Sequence, residues 1–177
     1  DDFKDFFLTS LGKPFLSAFY KALFLNAQNI GIGLYNGSRL VGFAVGTKNN
    51  EAFYKSLLYQ NWWQLGWAAL PALLASPLKL KRLITSLASS GNSDYSGIPS
   101  LLSICVLPGS SSKGFGTLLL QAFESELMDN DLAELILTTD ALNNDSANSF
   151  YIKNNYVCVR SFLQGKRQMN LYHKILK

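Results

Sequence analysis

Between Val106 and Gln121 the chain reads VLPGSSSKGFGTLLLQ, and these residue types in this order suit the capture of an anion. The apolar run Leu101 to Val106 predicts a buried strand, Pro108 and Gly109 end it, and three serines and Lys113 lead into Gly114-Phe115-Gly116 and a strongly apolar helix. A loop of small residues lets backbone N–H groups converge. The first turn of the helix adds unsatisfied donors and the positive end of its dipole. No acid competes for that charge, because Thr117, Leu118, Leu119 and Leu120 come before Gln121. Spacing separates the phosphate-binding patterns. A P-loop needs Gly-x-x-x-x-Gly-Lys-Ser/Thr, whereas Lys113 stands on the wrong side of Gly114. A dinucleotide fingerprint needs Gly-x-Gly-x-x-Gly, and Gly114 and Gly116 supply only two of its glycines.

The same segment resembles the acetyl-CoA loop of the GNAT superfamily of acetyltransferases, V-x-P followed by Arg/Gln-x-x-Gly-x-Gly/Ala. Val106, Pro108, Gly114 and Gly116 fall in register, with Ser111 where the family has Arg or Gln. A second stretch resembles the family's next motif, Asn-x-x-Ala-x-x-x-Tyr-x-x-x-Gly-Phe. Asn144, Ala147 and Tyr151 stand at those spacings, with Asn155-Tyr156 in place of Gly-Phe. On a helix such spacings share a face, so Asn144, Ala147 and Tyr151 look the same way. Asn tolerates the left-handed conformation for which a glycine is chosen after a helix, which suits Asn155.

The resemblance implies transfer of an acetyl group from acetyl-CoA to an acceptor amine by direct attack, without an acyl-enzyme. The backbone of Ile104, Cys105 and Val106 would pair with the pantetheine arm, between two strands set slightly apart. Ser111, Ser112, Lys113, Gly114, Phe115, Gly116 and Thr117 would hold the pyrophosphate, and Asn144 and Ala147 would complete the cofactor site. Tyr151 would be the acid: a phenol titrates near 10 and keeps its proton at neutral pH to give to the departing thiolate. Where some relatives place a Glu, five residues before the motif's Asn, this chain has Thr139. A water ordered by Ser103, Thr139 or Asp140 is the expected route for the amine's proton. His173, the single histidine, reads as a solvated strand end. The competing class is a GNAT-like domain that binds CoA and transfers nothing, for which the missing base and Ser111 speak. A nucleotide-binding doubly wound protein would need an all-parallel sheet, against which the terminal hairpins argue. Polyamines, amino sugars and protein N-termini all remain open as acceptors, and a homodimer is compatible with the resemblance.

These residues need a scaffold, and 177 residues, 48% hydrophobic and 16% charged, suffice for one domain with a single large core. Phe3, Phe6, Phe7 and Leu11 make an apolar stripe on one helix, and Phe15, Phe19, Leu23 and Phe24 continue on a second that starts at Pro14. Asn29 to Tyr35 and Arg39 to Thr47 alternate as strands around Asn36-Gly37, a strong hairpin signal. Leu119, Phe123 and Leu127 mark the buried face of the helix after the glycines. Glu134 to Thr139 is the next strand, Asn143 or Asn144 caps the helix that carries Tyr151, and Tyr156 to Phe162 with Gln168 to Lys174 form a final hairpin. The expected class is therefore α/β (α+β): a GNAT fold with a central mixed, mostly antiparallel sheet flanked by helices. Its first strand is expected to be absent from this sequence, which reads as beginning late in the first helix.

Residues 50–99 form a helical insertion between the third and fourth strands of that fold. Ser56 to Leu78 holds Trp62, Trp63 and Trp67 and no charge, with Lys79, Lys81 and Arg82 after it. A peripheral membrane contact through 56–82 fits that composition. Pro71 and Pro77 break any single span, and two helices walling the acceptor side is the preferred reading. A net charge of +4 suits an anionic cofactor, but the basic residues are scattered and make no nucleic-acid stripe. Cys105 and Cys158, inside apolar runs and without metal spacing, read as reduced core residues of a cytoplasmic protein that lacks a signal peptide.

Overall fold

Asn36-Gly37 turns the chain as its residue types demand, with Gly37 at φ 61°, and pairs β1 (Asn29–Asn36) antiparallel with β2 (Arg39–Thr47). This is seen in a computed structural model that describes residues 17, 21, 23–24, 26–51, 53, 95–108 and 114–177. β2 pairs antiparallel with β3 (Ser100–Val106), and β3 pairs parallel with β4 (Glu134–Asp140). β5 (Val157–Gln164) and β6 (Arg167–Ile175) form the last hairpin, with β6 inserted beside β4. The sheet order is β1-β2-β3-β4-β6-β5, mixed and mostly antiparallel as expected. A parallel step needs a crossover. Helix α1 (Phe115–Met128) supplies it between β3 and β4, and helix α2 (Asp145–Lys153) lies between β4 and β5.

The leucines and phenylalanine of α1 recur at helical spacing and land on one face of the sheet. Leu119, Leu120, Phe123 and Leu127 are all 0–1% exposed, packed with Ile30, Ala44, Leu101, Leu137, Tyr151 and Tyr172. Each such side chain contributes about 1.5–3 kcal/mol of burial. The close fit requires Gly46: a Cβ there would lie 2.4 Å from the Ser100 carbonyl oxygen and 2.5 Å from Phe123. Val45, Ile136, Met169 and Leu171, which alternate with that cluster along their strands, are buried too, so both faces of the sheet are covered.

Asn50 closes the neck of the insertion. Its amide donates to the Tyr95 carbonyl (2.7 Å) and accepts from the Gly97 N–H (2.9 Å), while its own N–H donates to Ile98 (3.2 Å). Asn50, Glu51 and Phe53 are described as helical, with Phe53 buried, whereas the tryptophans and the rest of the two expected insertion helices lie outside the described residues, as does the first helix. Of the second helix, Ser17, Lys21, Leu23 and Phe24 are described as helical, with Leu23 buried and Phe24 exposed. Among the described residues no strand precedes β1, and no helix is long and apolar enough to cross a membrane. One expectation is corrected. Neither cysteine is in a disulfide, but neither is in the core: Cys105 is only half-buried, and Cys158 is exposed because β5 is the outermost strand and leaves its residues open.

Candidate functional site

β3 and β4 share only two paired positions, Ser100 with Ile136 and Leu101 with Leu137. The cause is visible one strand away: opposite Val45 and Gly46 of β2, β3 advances from Leu101 to Ser103, so it carries one extra residue. Such a bulge bends its strand and ends pairing. From there to Val106, β3 keeps its ladder with β2, while β4 runs on to Asp140 beside β6. The opening between them is flanked by Ile104, Cys105 and Val106, all half-buried.

α1 begins at the end of that opening. Gly114 occupies the N-cap position at φ 75°, a left-handed conformation that glycine adopts without strain. The first intrahelical bond is from the Leu118 N–H to the Gly114 carbonyl, so the N–H groups of Phe115, Gly116 and Thr117 precede the ladder. Among the described residues no side chain caps them and no acid stands in the first turn, whereas α2 carries Asp145 in its first turn and Lys153 in its last. The electrostatics therefore leave the start of α1, and not that of α2, available to an external anion. Ser111, Ser112 and Lys113 lie outside the described residues. A Cβ on Gly116 would come 3.2 Å from the Phe150 ring, which places the start of α1 against α2, one residue from Tyr151.

α2 is polar, and Tyr151 is its one buried residue. Amides fasten it. Asn144, at the N-cap position but without a capping bond, donates instead to Thr139 Oγ1 (2.7 Å) and to the Asp140 carbonyl (3.3 Å). Asn148 donates to the carbonyls of Asp140 (3.0 Å) and Asn144 (2.8 Å), and its Oδ1 accepts from Tyr172 Oη (2.8 Å) and Asn170 (3.1 Å). At the other end Asn155 takes φ 67°, the left-handed stop predicted for it, and the Tyr156 N–H bonds back to the Tyr151 carbonyl. Ala147 packs against the core beside Phe150.

The rings of Tyr156 and Tyr172 lie 5.9 and 5.7 Å from that of Tyr151. Tyr156 Oη donates to Glu124 (2.7 Å), and Glu124, 7% exposed, is also held by Lys174 (2.7 Å). Tyr172 donates to Asn148. Tyr151 Oη alone of the three makes no hydrogen bond among the described residues. Burial, and then the nearby Tyr172, push its pKa up to about 12, so it keeps its proton throughout the physiological range. Burial and the Glu124 carboxylate raise Tyr156 as well.

The acidic groups around the site have partners. Asp140 receives Arg167 Nε (2.8 Å) and is ion-paired with its guanidinium, and Glu124 is held as described. His173 Nε2 lies 2.9 Å from Glu134, with its ring 5.8 Å from that of Tyr95. Thr139 Oγ1 already accepts from Asn144. Among the described residues no cluster of His, Cys, Asp and Glu could hold a metal ion. The sequence reading missed Asn148 and the Glu124–Lys174 pair. The first was signalled by its place one turn after Asn144, the second by a Glu set between Phe123 and Leu127 on an apolar helix.

No protein-family model matches the chain, and no curated protein matches it in sequence. Solved structures do resemble it. The ribosomal-protein-S18-alanine N-acetyltransferase from Escherichia coli is 13% identical over 91% of this chain and 76% of its own, with a TM-score of 0.54. A Desulfovibrio desulfuricans protein assigned to the GNAT family of acetyltransferases is 11% identical over 91% of this chain and 78% of its own, at 0.58. The PaiA N-acetyltransferase from Thermoplasma acidophilum, solved with coenzyme A, is 16% identical over 90% and 68%, at 0.53. Likeness at such identities speaks to architecture, and with the mixed sheet parted between β3 and β4 it establishes that this chain has the GNAT N-acetyltransferase fold.

Proposed function

We propose that the protein is an acetyl-CoA-dependent N-acetyltransferase of the cytoplasm, acting on an amine of a small molecule or of a protein. The observation that carries this reading is Tyr151: it is the one hydroxyl of a buried tyrosine cluster without a partner among the described residues, on a helix that touches the start of α1. Acetyl-CoA would supply an activated thioester. Ile104, Cys105 and Val106 line the strand opening for its arm, and the N–H groups of Phe115, Gly116 and Thr117, with Ser111, Ser112 and Lys113, receive the pyrophosphate. Asn144 and Ala147 set the face of α2 toward it.

A phenol at about 12 is a weak acid for a thiolate whose thiol titrates like Cys, near 8.5. Full transfer on its own is uphill by about 5 kcal/mol. Tyr151 therefore donates a hydrogen bond to the departing sulfur, passes its proton as the C–S bond breaks, and regains one from the acceptor nitrogen as that nitrogen becomes an amide. No new charge is left in the core. With Asp140 held by Arg167, the acceptor's first proton leaves through water before attack. That same engagement of the acidic groups favours a second reading, CoA binding without transfer.

Titration with acetyl-CoA, together with thiol release over a panel of polyamines, amino sugars and peptides with free N-termini, tests both. Transfer predicts binding and release with at least one amine, and Tyr151→Phe then lowers turnover roughly a hundredfold at unchanged acetyl-CoA affinity. Binding with no release from any amine selects the second reading; no binding defeats both.

A further inference from the structure

We propose that Asn148 is a positioning residue for Tyr151, holding α2 at one rotation and depth against β4 and β6; its catalytic meaning rests on the acetyl-transfer reading above. Nine residues with a single buried side chain give α2 little apolar surface by which to find one orientation. Directional bonds must do it. A side-chain amide offers two donors and a two-lone-pair acceptor, and Asn148 uses all of them. One donor reaches the last residue of β4, the carbonyl of Asp140 at 3.0 Å, and the other reaches the Asn144 carbonyl at 2.8 Å. Its oxygen takes two bonds from β6, Tyr172 Oη at 2.8 Å and Asn170 Nδ2 at 3.1 Å.

Asn148 stands three residues before Tyr151 and so shares its helix face. Tyr172, which donates to Asn148, also lies with its ring 5.7 Å from that of Tyr151. One amide thus ties both the helix that carries the phenol and the ring against which the phenol packs. Asn144 cannot replace it, because its bonds stop at β4 and leave β6 unlinked.

The test separates position from stability. Asn148→Ala leaves the Tyr172 hydroxyl without its acceptor, and adding Tyr172→Phe removes that orphan without restoring the tie, with Tyr172→Phe alone as control. In protein carrying 13C-labelled tyrosine, the Tyr151 ring signal, assigned by its loss in Tyr151→Phe, should shift or broaden in both Asn148→Ala variants. With the amine found active in the panel, kcat should fall roughly tenfold to a hundredfold in both, at an acetyl-CoA KM within about twofold, while the melting temperature recovers in the double variant. An unmoved Tyr151 signal in Asn148→Ala overturns the proposal, as does a kcat that returns with the melting temperature. If the wild-type protein acetylates no amine, the acetyl-transfer reading falls, and a moved ring signal still supports the positioning role.

Discussion

Three tyrosines packed ring against ring differ in what their hydroxyls meet, and that difference sets their chemistry. Tyr156 and Tyr172 each donate to a side chain, whereas the Tyr151 hydroxyl makes no hydrogen bond among the described residues. Its burial has a measurable cost at high pH. The unfolded phenol ionises near 10 and the folded one at about 12, so the folded state's advantage is complete below pH 10 and is lost as pH rises through 12. Between pH 9 and 11, urea unfolding should show wild-type protein losing about 1.4 kcal/mol more than Tyr151→Phe. Equal losses would mean that Tyr151 is solvated. Gly114 yields a second residue-level prediction. Among the described residues nothing lies within 4 Å of a Cβ at that position, yet its φ is 75°. Gly114→Ala should therefore cost about 1–2 kcal/mol through the backbone alone. By disturbing the start of α1 it should also weaken acetyl-CoA binding, as calorimetry would show; an unchanged affinity would remove Gly114 from the cofactor site.

Between elements, Glu124 joins α1 to β6 and to the end of α2. The residue pair after α2, Asn155-Tyr156, keeps the left-handed stop but brings a phenol into the core, and the phenol needs an acceptor. Glu124 supplies it, and Lys174, also stacked 5.2 Å over the Tyr156 ring, neutralises Glu124. Lys174→Met should strand a carboxylate that is 7% exposed and cost about 3–5 kcal/mol. Lys174→Met with Glu124→Leu and Tyr156→Phe should recover most of that stability in denaturant melts, since the group that needed the charge is gone. A triple variant as unstable as the single one would show that the three side chains do not act as a unit.

For the whole molecule, Asn50 clasps Tyr95 and Gly97, so the chain leaves and re-enters the sheet at one point. Replacing residues 54–93 with a short Gly-containing turn, and keeping the Asn50, Tyr95 and Gly97 clasp, should leave acetyl-CoA affinity nearly intact, because the proposed cofactor site is made by β3 and α1. Acceptor turnover should disappear if the insertion walls the acceptor side, whereas normal acceptor kinetics would end that idea. The pH profile belongs to this scale too. With Tyr151 protonated throughout, turnover at saturating acetyl-CoA should rise with pH and level off at the acceptor amine's own pKa, moving when the amine is changed. A plateau independent of the amine would instead reveal a base in the protein.

Short-range rules made much of this protein legible in sequence. Asn36-Gly37 has to turn, alternating residues have to pair as strands, and Leu119, Phe123 and Leu127 can only face one way from a helix. Gly114 and Asn155 were legible for the same reason, since local backbone geometry holds both at positive φ. Long-range partners were not legible. That β3 takes an extra residue opposite Gly46 and so parts from β4, that Asn148 reaches β6, that Asp140 is held by Arg167 and that Cys158 falls on an outer strand all depend on strand order. A residue's own neighbours in the chain impose its conformation, but only the assembled sheet decides which distant donor meets which acceptor.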